Sequence, residues 1–359
     1  MIVQPVSASE PFCQTGREGA QSCRLSIDLV PGRALSSEEV IAWRQLQGSN
    51  PELCSPCFSA EFTQAVASVR DDVEVALIRE NDRIVAIFPF QRRTASRAVP
   101  VGGLVSDYQG LICQPGFTFD PQKLLKACNL TDWNFDRLLA SQCLFVPYHK
   151  KCTASARIDL SRGYVTYVRE RRAAGTHQIK RCEYMIRRMQ REIGPVRFVV
   201  HSLDPKLLAQ VLGWKSQQYR QSGWNDLFAT DWGRRLVDRV HCTQNPNFAG
   251  MLSLLFAGQR LVAGHLGMRS RTVWHYWFPA YDRQFAKYSP GLILLLKMAQ
   301  YAEPLGLQWI DIGTGITLYK KRLMNASVMV AEGKLERPSC RSFLRRACHK
   351  LKPLLTFQR

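Results

Sequence analysis

The chain consists of short segments in which apolar and polar residues alternate, separated by longer stretches in which apolar residues recur with helical spacing. In the first half, the alternation predicts strands at 24–29, 73–79, 83–91 and 135–139. The turn Glu80-Asn81-Asp82 joins the second and third of these strands, which predicts a hairpin. Helices are predicted to start at Ser36, Ser59 and Pro121, because Ser caps a helix and Pro is tolerated in its first turn.

The second half is predicted to begin with helices and to continue as a sheet. Helices are predicted over the basic segment 164–192, which Gly175 interrupts, and over 205–222 and 231–242. The elements that follow are strands at 251–257, 261–268 and 272–279, an apolar helix that ends at Gly306, a strand at 307–312, a short helix at 318–323 and a strand at 328–335. The strand–helix–strand portion predicts a right-handed crossover between parallel strands.

Length and composition indicate a globular protein of about two domains. The chain has 359 residues, of which 46% are hydrophobic and 22% are charged. Apolar runs fall well short of the roughly 20 residues of a membrane span, and the N-terminus lacks the pattern of a secretory signal. We therefore expect a cytoplasmic protein. The twelve cysteines are scattered, with Cys54 and Cys57 as the C-x-x-C pair, so we expect reduced thiols and no metal site.

The formal net charge of +20 predicts anionic partners. Coenzyme phosphates, nucleic acid, an anionic membrane face and sugar nucleotides all fit, and charge alone does not choose among them. The C-terminal stretch mixes Leu and Phe with Arg and Lys. This mixture predicts either an amphipathic segment at the inner face of a membrane or a solvated tail. The basic segment 167–192 is either a solvated helix face or an RNA contact.

A candidate anion site lies where the chain passes into the apolar helix. Tyr288-Ser289-Pro290-Gly291 opens that helix, and a helix N-terminus offers unpaired N–H groups and the positive end of a dipole. Pro290 loses nothing in the first turn, Gly291 lets a ligand approach the backbone, and Lys287 adds a positive charge. The same residues also make an ordinary helix start, so both interpretations stay open.

Three polar residues stand on predicted strands among apolar neighbours. Asp311 is costly to bury without a partner, so we expect it either to meet a partner or substrate amine or to cap the following turn. His265 and His275 lie on adjacent strands, where each is either a proton acceptor or a hydrogen-bonded residue of the sheet. Alternation places His275 and Tyr276 on opposite faces. Gly264 and Gly267 are candidates for a bulge.

Several short motifs occur together between Gly264 and Leu323. They are Trp274-His275-Tyr276-Trp277, Tyr281, Tyr288-Ser289-Pro290-Gly291, Gly306, Ile310-Asp311-Ile312-Gly313 and Tyr319-Lys320. With these motifs the chain resembles the CelD-like acyltransferases of the GNAT superfamily, distant relatives of the FemAB aminoacyl transferases. A looser pattern reaches back to about Trp43 and includes Pro89-Phe90 and Ser106-Asp107-Tyr108. The loop before the helix departs from the usual GNAT loop, in which Arg or Gln precedes two glycines.

The resemblance implies an α+β (mixed α/β) fold of tandem GNAT-like domains, each a mostly antiparallel central sheet flanked by helices. The composition of residues 1–23, rich in Gly, Ser, Gln and Glu and without periodicity, predicts a flexible N-terminus. The resemblance implies a degenerate GNAT-like domain at 24–155. A GNAT acyltransferase domain at 156–336 and a basic amphipathic tail at 337–359 would complete the chain.

The resemblance also implies an N-acyltransferase that moves an acyl group from acyl-CoA or acetyl-CoA to an amine. The acceptor would be an amino sugar or a sugar nucleotide of bacterial exopolysaccharide or capsule synthesis. The implied catalytic residues are Tyr319, which would protonate the departing thiolate, and Asp311, His265 and His275. The implied donor-binding residues are Lys287, Tyr288, Ser289, Gly291, Leu292, Tyr276 and Phe278. The implied acceptor-binding residues are Asp107, Tyr108, Trp277, Tyr281 and Lys320.

Two other functions fit the same residues. The first is a FemAB-like transferase that uses aminoacyl-tRNA, which the positive charge and the basic helix would suit. The second is a GNAT-fold scaffold without catalytic activity in a polysaccharide-synthesis complex. Tyr319, Asp107 and Asp311 also have ordinary structural interpretations, as a packed ring and as turn residues.

Overall fold

A computed structural model describes residues 25–338. The predicted flexible N-terminus and nearly all of the predicted basic tail lie outside the described residues. Within 25–338 the strands form one 13-stranded sheet. The strands are β1 (Leu25–Pro31), β2 (Val73–Glu80), β3 (Arg83–Thr94), β4 (Arg97–Val99), β5 (Ile112–Cys113), β6 (Asp132–Leu139), β7 (His149–Asp159), β8 (Val196–Val199), β9 (Ala249–Ala257), β10 (Arg260–Arg269), β11 (Val273–Tyr281), β12 (Trp309–Thr314) and β13 (Ala326–Glu336).

The helices cover the faces of this sheet. They are α1 (Ser37–Ser49), α2 (Ala60–Ala67), α3 (Pro121–Ala127), α4 (Tyr164–Ala173), α5 (Gln178–Glu192), α6 (Pro205–Gln221), α7 (Asp231–Cys242), α8 (Pro290–Tyr301) and α9 (Leu318–Leu323). Ser36 caps α1 with a capping box, and Ser59 caps α2, as their positions before apolar runs predict. Gly175 adopts a positive φ of 75° and divides the predicted basic helix into α4 and α5. None of the helices in 25–338 is long and apolar enough to cross a membrane.

The strands run in the order β1-β2-β3-β4-β6-β13-β7-β12-β11-β10-β9-β8, with β5 paired to β3. Most neighbours are antiparallel, while β4–β6 and β11–β12 are parallel. The predicted mixed α/β class with a mostly antiparallel sheet is therefore confirmed. The predicted hairpin β2–β3 and the run β9–β10–β11 are present, and the crossover through α8 joins the parallel pair β11–β12.

The two halves of the chain share this sheet. The last strand, β13, lies between β6 and β7 and pairs with both. The predicted domain boundary at 155/156 falls inside β7, and it stays a prediction. The sequence pattern did not indicate β7, because Lys150, Lys151 and small residues replace the alternating apolar positions there. It also missed the short strand β8.

Three apolar clusters fill the space between the sheet and its helices. One lies mainly in the first half beneath β2, β3 and β6, and its largest side chains include Phe88 and Trp133. A second packs α8 against β9–β12, around Trp274 and Ile310. The third joins the halves, because residues of α1 and α2 meet α6, α7 and the opposite face of β11 through Phe62 and Trp277. The cleft between the halves is therefore built on a continuous core.

A bulge in β11, opposite Gly267 of β10, sets the geometry next to that cleft. The β10–β11 register shifts between Leu266 and Met268, so that Tyr276 and Trp277 of β11 stand opposite the single residue Gly267 of β10. Of the two glycines predicted to mark a bulge, Gly267 therefore faces one, whereas Gly264 pairs regularly. A Cβ on Gly267 would lie 2.3 Å from the His265 ring and 2.3 Å from the His275 carbonyl oxygen. Only glycine fits between these atoms without displacing them.

We expect Gly267→Ala to lower the free energy of unfolding by about 1–3 kcal/mol, because the added methyl overpacks a backbone carbonyl and a buried ring. Gly213→Ala is the control, since a Cβ there meets nothing within 4 Å and lies on α6. The control should be neutral or gain up to about 1 kcal/mol from helix propensity. Denaturant unfolding of both variants measures the difference. Equal stability of the two variants would contradict the close packing at the bulge.

Candidate active site

The sheet opens between β11 and β12. Their parallel pairing runs only from Val273–Trp309 to His275–Asp311. Beyond this point β11 continues alongside β10 to Tyr281, while β12 continues alongside β7 to Thr314. Backbone groups of β11 past His275 therefore face a gap instead of a neighbouring strand. This gap, which we call the strand opening, is a place where an extended ligand could pair with β11.

An ion pair from opposite halves of the chain lies beside the strand opening. His275 Nε2 is 3.0 Å from Asp107 Oδ2. Burial disfavours a charged imidazole, but contact with the Asp107 carboxylate outweighs it and raises the pKa of His275. Burial opposes ionisation of Asp107 as well, and contact with His275 and Arg137 nevertheless lowers the pKa of this carboxyl. The two groups stabilise each other in the charged form.

A second buried network fixes the end of β12. Asp311 is fully buried, and its Oδ2 lies 3.5 Å from Nε of Arg157 on β7. The Tyr108 hydroxyl donates to Asp311 Oδ1 at 2.9 Å and lies 2.9 Å from Ser155 Oγ. The Gly313 amide also reaches Asp311 Oδ1 at 3.4 Å. Asp311 thus has a charged partner and also caps the following turn.

Lys320 closes the strand opening from the side of α9. Its Nζ donates to the carbonyl oxygens of Gly313 at 3.1 Å and Thr314 at 2.7 Å. Burial lowers the pKa of Lys320, although Asp107 and Asp311 favour its charged form. A Cβ on Gly313 would lie 3.5 Å from Asp107 Oδ2 and 3.8 Å from Lys320 Nζ. The glycine therefore lets the ammonium and the carboxylate approach the same point of the backbone.

Two tyrosines lie on the α8 face of the strand opening. The Tyr276 hydroxyl donates to the Gly291 carbonyl at 3.3 Å. Tyr319 is partly buried at the start of α9 and packs against the apolar cluster of α8 and β12. Burial raises the pKa of Tyr319, so its phenol stays protonated at neutral pH. His275 and Tyr276 face opposite sides of β11, as alternation predicts.

The entrance of α8 offers fewer free amides than the sequence suggests. Ser289 adopts a left-handed conformation, with φ 54° and ψ 50°. Its carbonyl accepts from the Leu292 amide at 3.0 Å and the Ile293 amide at 3.2 Å, and Pro290 has no N–H. Of the first three helical positions, Gly291 alone keeps an amide that this carbonyl does not take. The entrance of α8 therefore offers an anion fewer free amides than a regular helix start would provide.

Lys287 and Tyr288 both contact Glu192 at the end of α5. The ammonium lies 3.2 Å from Glu192 Oε2, and the Tyr288 hydroxyl donates to the same oxygen. These contacts lower the pKa of Glu192 to about 2, with the Tyr288 hydrogen bond as the largest cause. An incoming phosphate would have to draw Lys287 away from this carboxylate. Tyr288 is buried, so it positions the loop instead of lining an open groove.

A cavity of about 440 Å³ lies between the two halves and reaches Asp107. Trp277 and Phe278 form its floor on β11, and the Trp277 indole donates to the Val105 carbonyl at 2.9 Å. Residues from the first half and from the α6–α7 region complete the walls. Its size suits one small ligand. Asp107 joins this cavity to the strand opening, because its carboxylate also contacts His275.

The remaining predicted site residues take other places. His265 is fully buried and stacks on Tyr276, and its Nε2 accepts the Trp277 amide at 3.1 Å. Burial lowers the pKa of His265 to about 3, so the ring is neutral and supports the bulge. Tyr281 is exposed and lies near Gly291. Thus the structure brings Asp107, His275 and Lys320 together, holds Asp311 and Tyr108 just behind them, and places Tyr276, Tyr319 and the α8 entrance on the other face of the sheet.

Arg137 and Arg157 are functional neighbours that the sequence analysis missed. Arg137 Nε lies 3.3 Å from Asp107 Oδ1, and Arg157 pairs with Asp311. Arg157 lies in the unpredicted strand β7. Nothing in the sequence marks a single arginine within a polar segment as part of a site. The expected burial of the Asp311 carboxylate did predict that this group has a partner.

Residues 176–321 match the family model described as "Acetyltransferase (GNAT) domain". The matched region runs from the start of α5 through most of α9 and includes the strand opening, α8 and Tyr319. No curated protein matches the chain. Domains of this type use acyl-CoA, and the match confirms the predicted enzyme class, a GNAT-type acyltransferase.

Solved structures share the fold at low sequence identity. A tandem GNAT protein from the clavulanic acid biosynthesis pathway is 13% identical with a TM-score of 0.50, over 88% of this chain and all of that one. FemX is 8% identical with a TM-score of 0.57, over 89% and 99%. The C-terminal domain of a lysylphosphatidylglycerol synthetase candidate from Agrobacterium fabrum is 10% identical with a TM-score of 0.51, over 88% and 96%. These similarities concern the fold alone.

We expect Asp311→Asn to lower the free energy of unfolding by about 3–5 kcal/mol, because the buried Arg157 would lose its counter-charge. The control is Asp71→Asn, whose carboxylate is 90% exposed beside Arg33 and should contribute about 1 kcal/mol or less. Denaturant unfolding at neutral pH compares them. An equally small loss in both variants would mean that the buried ion pair does not hold β12 to β7.

Proposed function

We propose that this protein is an N-acyltransferase that transfers an acyl group from acyl-CoA to an amine held in the cavity between its halves. The observation that carries the proposal is the Asp107–His275 pair at 3.0 Å, at the junction of the cavity and the strand opening. Acyl-CoA supplies the acyl group as a thioester. The protein holds both substrates and moves protons, and joint positioning of two reactants is itself a large source of rate.

The Asp107–His275 pair takes the proton of the amine. Asp107 lines the cavity, so its carboxylate can contact the amine, while His275 behind it is fully buried. The proton passes to the pair as the amine nitrogen bonds to the acyl carbon and the carbon–sulfur bond breaks. His275 must be neutral to receive it. Acid–base groups placed in this way typically contribute about 10²–10⁴-fold to a rate.

Tyr319 gives a proton to the departing sulfur. Its phenol is neutral because burial raises its pKa, and a thiolate is basic enough to take the proton. The donor arm would lie along β11 beyond His275, where the strand has lost its neighbour, beside Tyr276 and Leu292. The Gly291 amide and Lys287, released from Glu192, are the groups that would meet its phosphates.

The resemblance to CelD-like acyltransferases supports an amino sugar or sugar nucleotide of exopolysaccharide or capsule synthesis as the acceptor. We place the enzyme in the cytoplasm, at the inner face of the membrane where such precursors are used. A FemAB-like reaction with aminoacyl-tRNA is the second candidate, and the net charge of +20 favours it. A thermal-shift series with acyl-CoA species separates the two, because a donor that binds the native state raises the melting temperature. Salt-sensitive tRNA binding without any acyl-CoA response would replace the first candidate with the second.

We expect Asp107→Asn, His275→Gln and Tyr319→Phe each to lower kcat by about 10²-fold or more. Glu38→Gln, at an exposed position of α1 that does not line the cavity, is the control and should keep wild-type kcat. The assay is mass-spectrometric detection of acylated amine. Full activity of all three variants would remove the proposed roles and favour a scaffold function.

We expect kcat/KM to rise with pH through an ionisation above the ordinary imidazole value, because Asp107 raises the pKa of His275 and the neutral ring is the active form. In Asp107→Asn the ring stays buried but loses the carboxylate that is the main cause of its raised pKa, so the pKa of His275 falls. The acidic limb of the plot of kcat/KM against pH should therefore move to lower pH, while the maximal rate falls. A limb that stays in place in Asp107→Asn would assign the ionisation to another group.

A further inference from the structure

We infer that the acceptor bound in the cavity between the halves carries an anionic group, which pairs with Arg93, and a ring, which stacks on the face of Trp224. This rests on the proposed function, because it takes the cavity as the acceptor site. The acceptor class is an amino sugar that carries a phosphate or a carboxylate. Asp107 meets the amine, and the two other residues recognise the rest of the molecule.

Three guanidinium groups line the cavity, and two of them already contact carboxylates of the protein. Arg70 makes a bidentate contact with Asp72 and lies over the Trp232 ring. Arg137 contacts the carboxylates of Asp107 and Asp136.

Arg93, at the end of β3, is exposed, and none of the carboxylates in residues 25–338 pairs with it. Its planar fork suits a phosphate or carboxylate. The cavity thus presents an unpaired positive charge next to two arginines that are already neutralised.

Aromatic rings form one wall of the same cavity. Trp224 is 70% exposed, yet its ring is parallel to Tyr219 within 2°, with centroids 6.4 Å apart. Tyr219 in turn stacks on Phe228, and Phe228 meets Phe278 edge-on. An exposed tryptophan held flat in this way offers its outer face to a ring of the ligand.

The position of Asp107 gives the ligand its orientation. Asp107, Arg93 and Trp224 line one cavity of about 440 Å³, which holds a single small molecule. An amine at Asp107 therefore leaves the rest of the acceptor among the guanidinium groups and the aromatic wall. A small neutral amine would contact neither the guanidinium groups nor the aromatic wall.

The test is calorimetric binding to the full chain at low and high salt, without acyl donor. The probes are glucosamine, glucosamine 6-phosphate and an amino sugar carrying a carboxylate. The variants are Arg93→Gln, Trp224→Ala and the control Arg83→Gln, an exposed arginine at the start of the same strand.

We expect at least one anionic sugar to bind about 10- to 100-fold more tightly than glucosamine, as one charge-assisted contact permits. The tighter of the two anionic probes identifies the group. Arg93→Gln should abolish the preference, Arg83→Gln should keep it, and Trp224→Ala should weaken all three sugars. Equal affinity of neutral and anionic sugars, or a preference that survives Arg93→Gln, would overturn the inference.

Acyl transfer to the same amines separates this inference from the proposed function. Transfer to neutral and anionic amines with equal kcat/KM would overturn the anionic acceptor and leave the acyltransferase proposal intact. Anion binding that depends on Arg93, without transfer to any amine, would uphold the binding site and remove the proposed reaction.

Discussion

The structure depends on the loss of pairing between β11 and β12 after His275 and Asp311. A sheet that stayed paired would bury the backbone of β11 and leave no gap for an extended thioester. What keeps the strands apart is the way each is held on its far side. The bulge of β11 opposite Gly267 lies in its pairing with β10, while Arg157 and Tyr108 fix Asp311 to β7. Both anchors are buried, so the opening is a rigid feature of the core.

The continuity of the sheet explains how the first half contributes to chemistry. Because β13 inserts between β6 and β7, the two halves cannot be separated without losing the pairing of β13 with these strands. Asp107 and Tyr108 are therefore held at fixed positions against β11 and β12. The first half thereby supplies the carboxylate of Asp107 to His275 of the second half.

The sequence predicted elements whose signals are local. Ser36 and Ser59 mark the starts of α1 and α2 by rules that need only a few neighbours, and the strand–helix–strand order of the second half follows from periodicity. The apolar helix α8 ends at Tyr301, earlier than predicted, and Gly306 ends the 3-10 turn Glu303–Leu305 that follows it. The strand β7 was missed because its pairing partners β12 and β13, rather than its own composition, make it a strand. Arg157 was missed with it. The meeting of Asp107 and His275 likewise depends on long-range packing that no spacing along the chain encodes.

The sequence identified the residue types of the site but not their partners, and the partners decide the chemical roles. His265 and His275 look alike in sequence, yet the bulge turns one toward a backbone amide and the other toward a carboxylate. Burial makes the first ring a fixed neutral acceptor. The second ring is equally buried, but contact with Asp107 outweighs burial and raises the pKa of His275, and Asp107 links the ring to the cavity. Two histidines on neighbouring strands therefore divide into one that shapes the site and one that can exchange a proton within it.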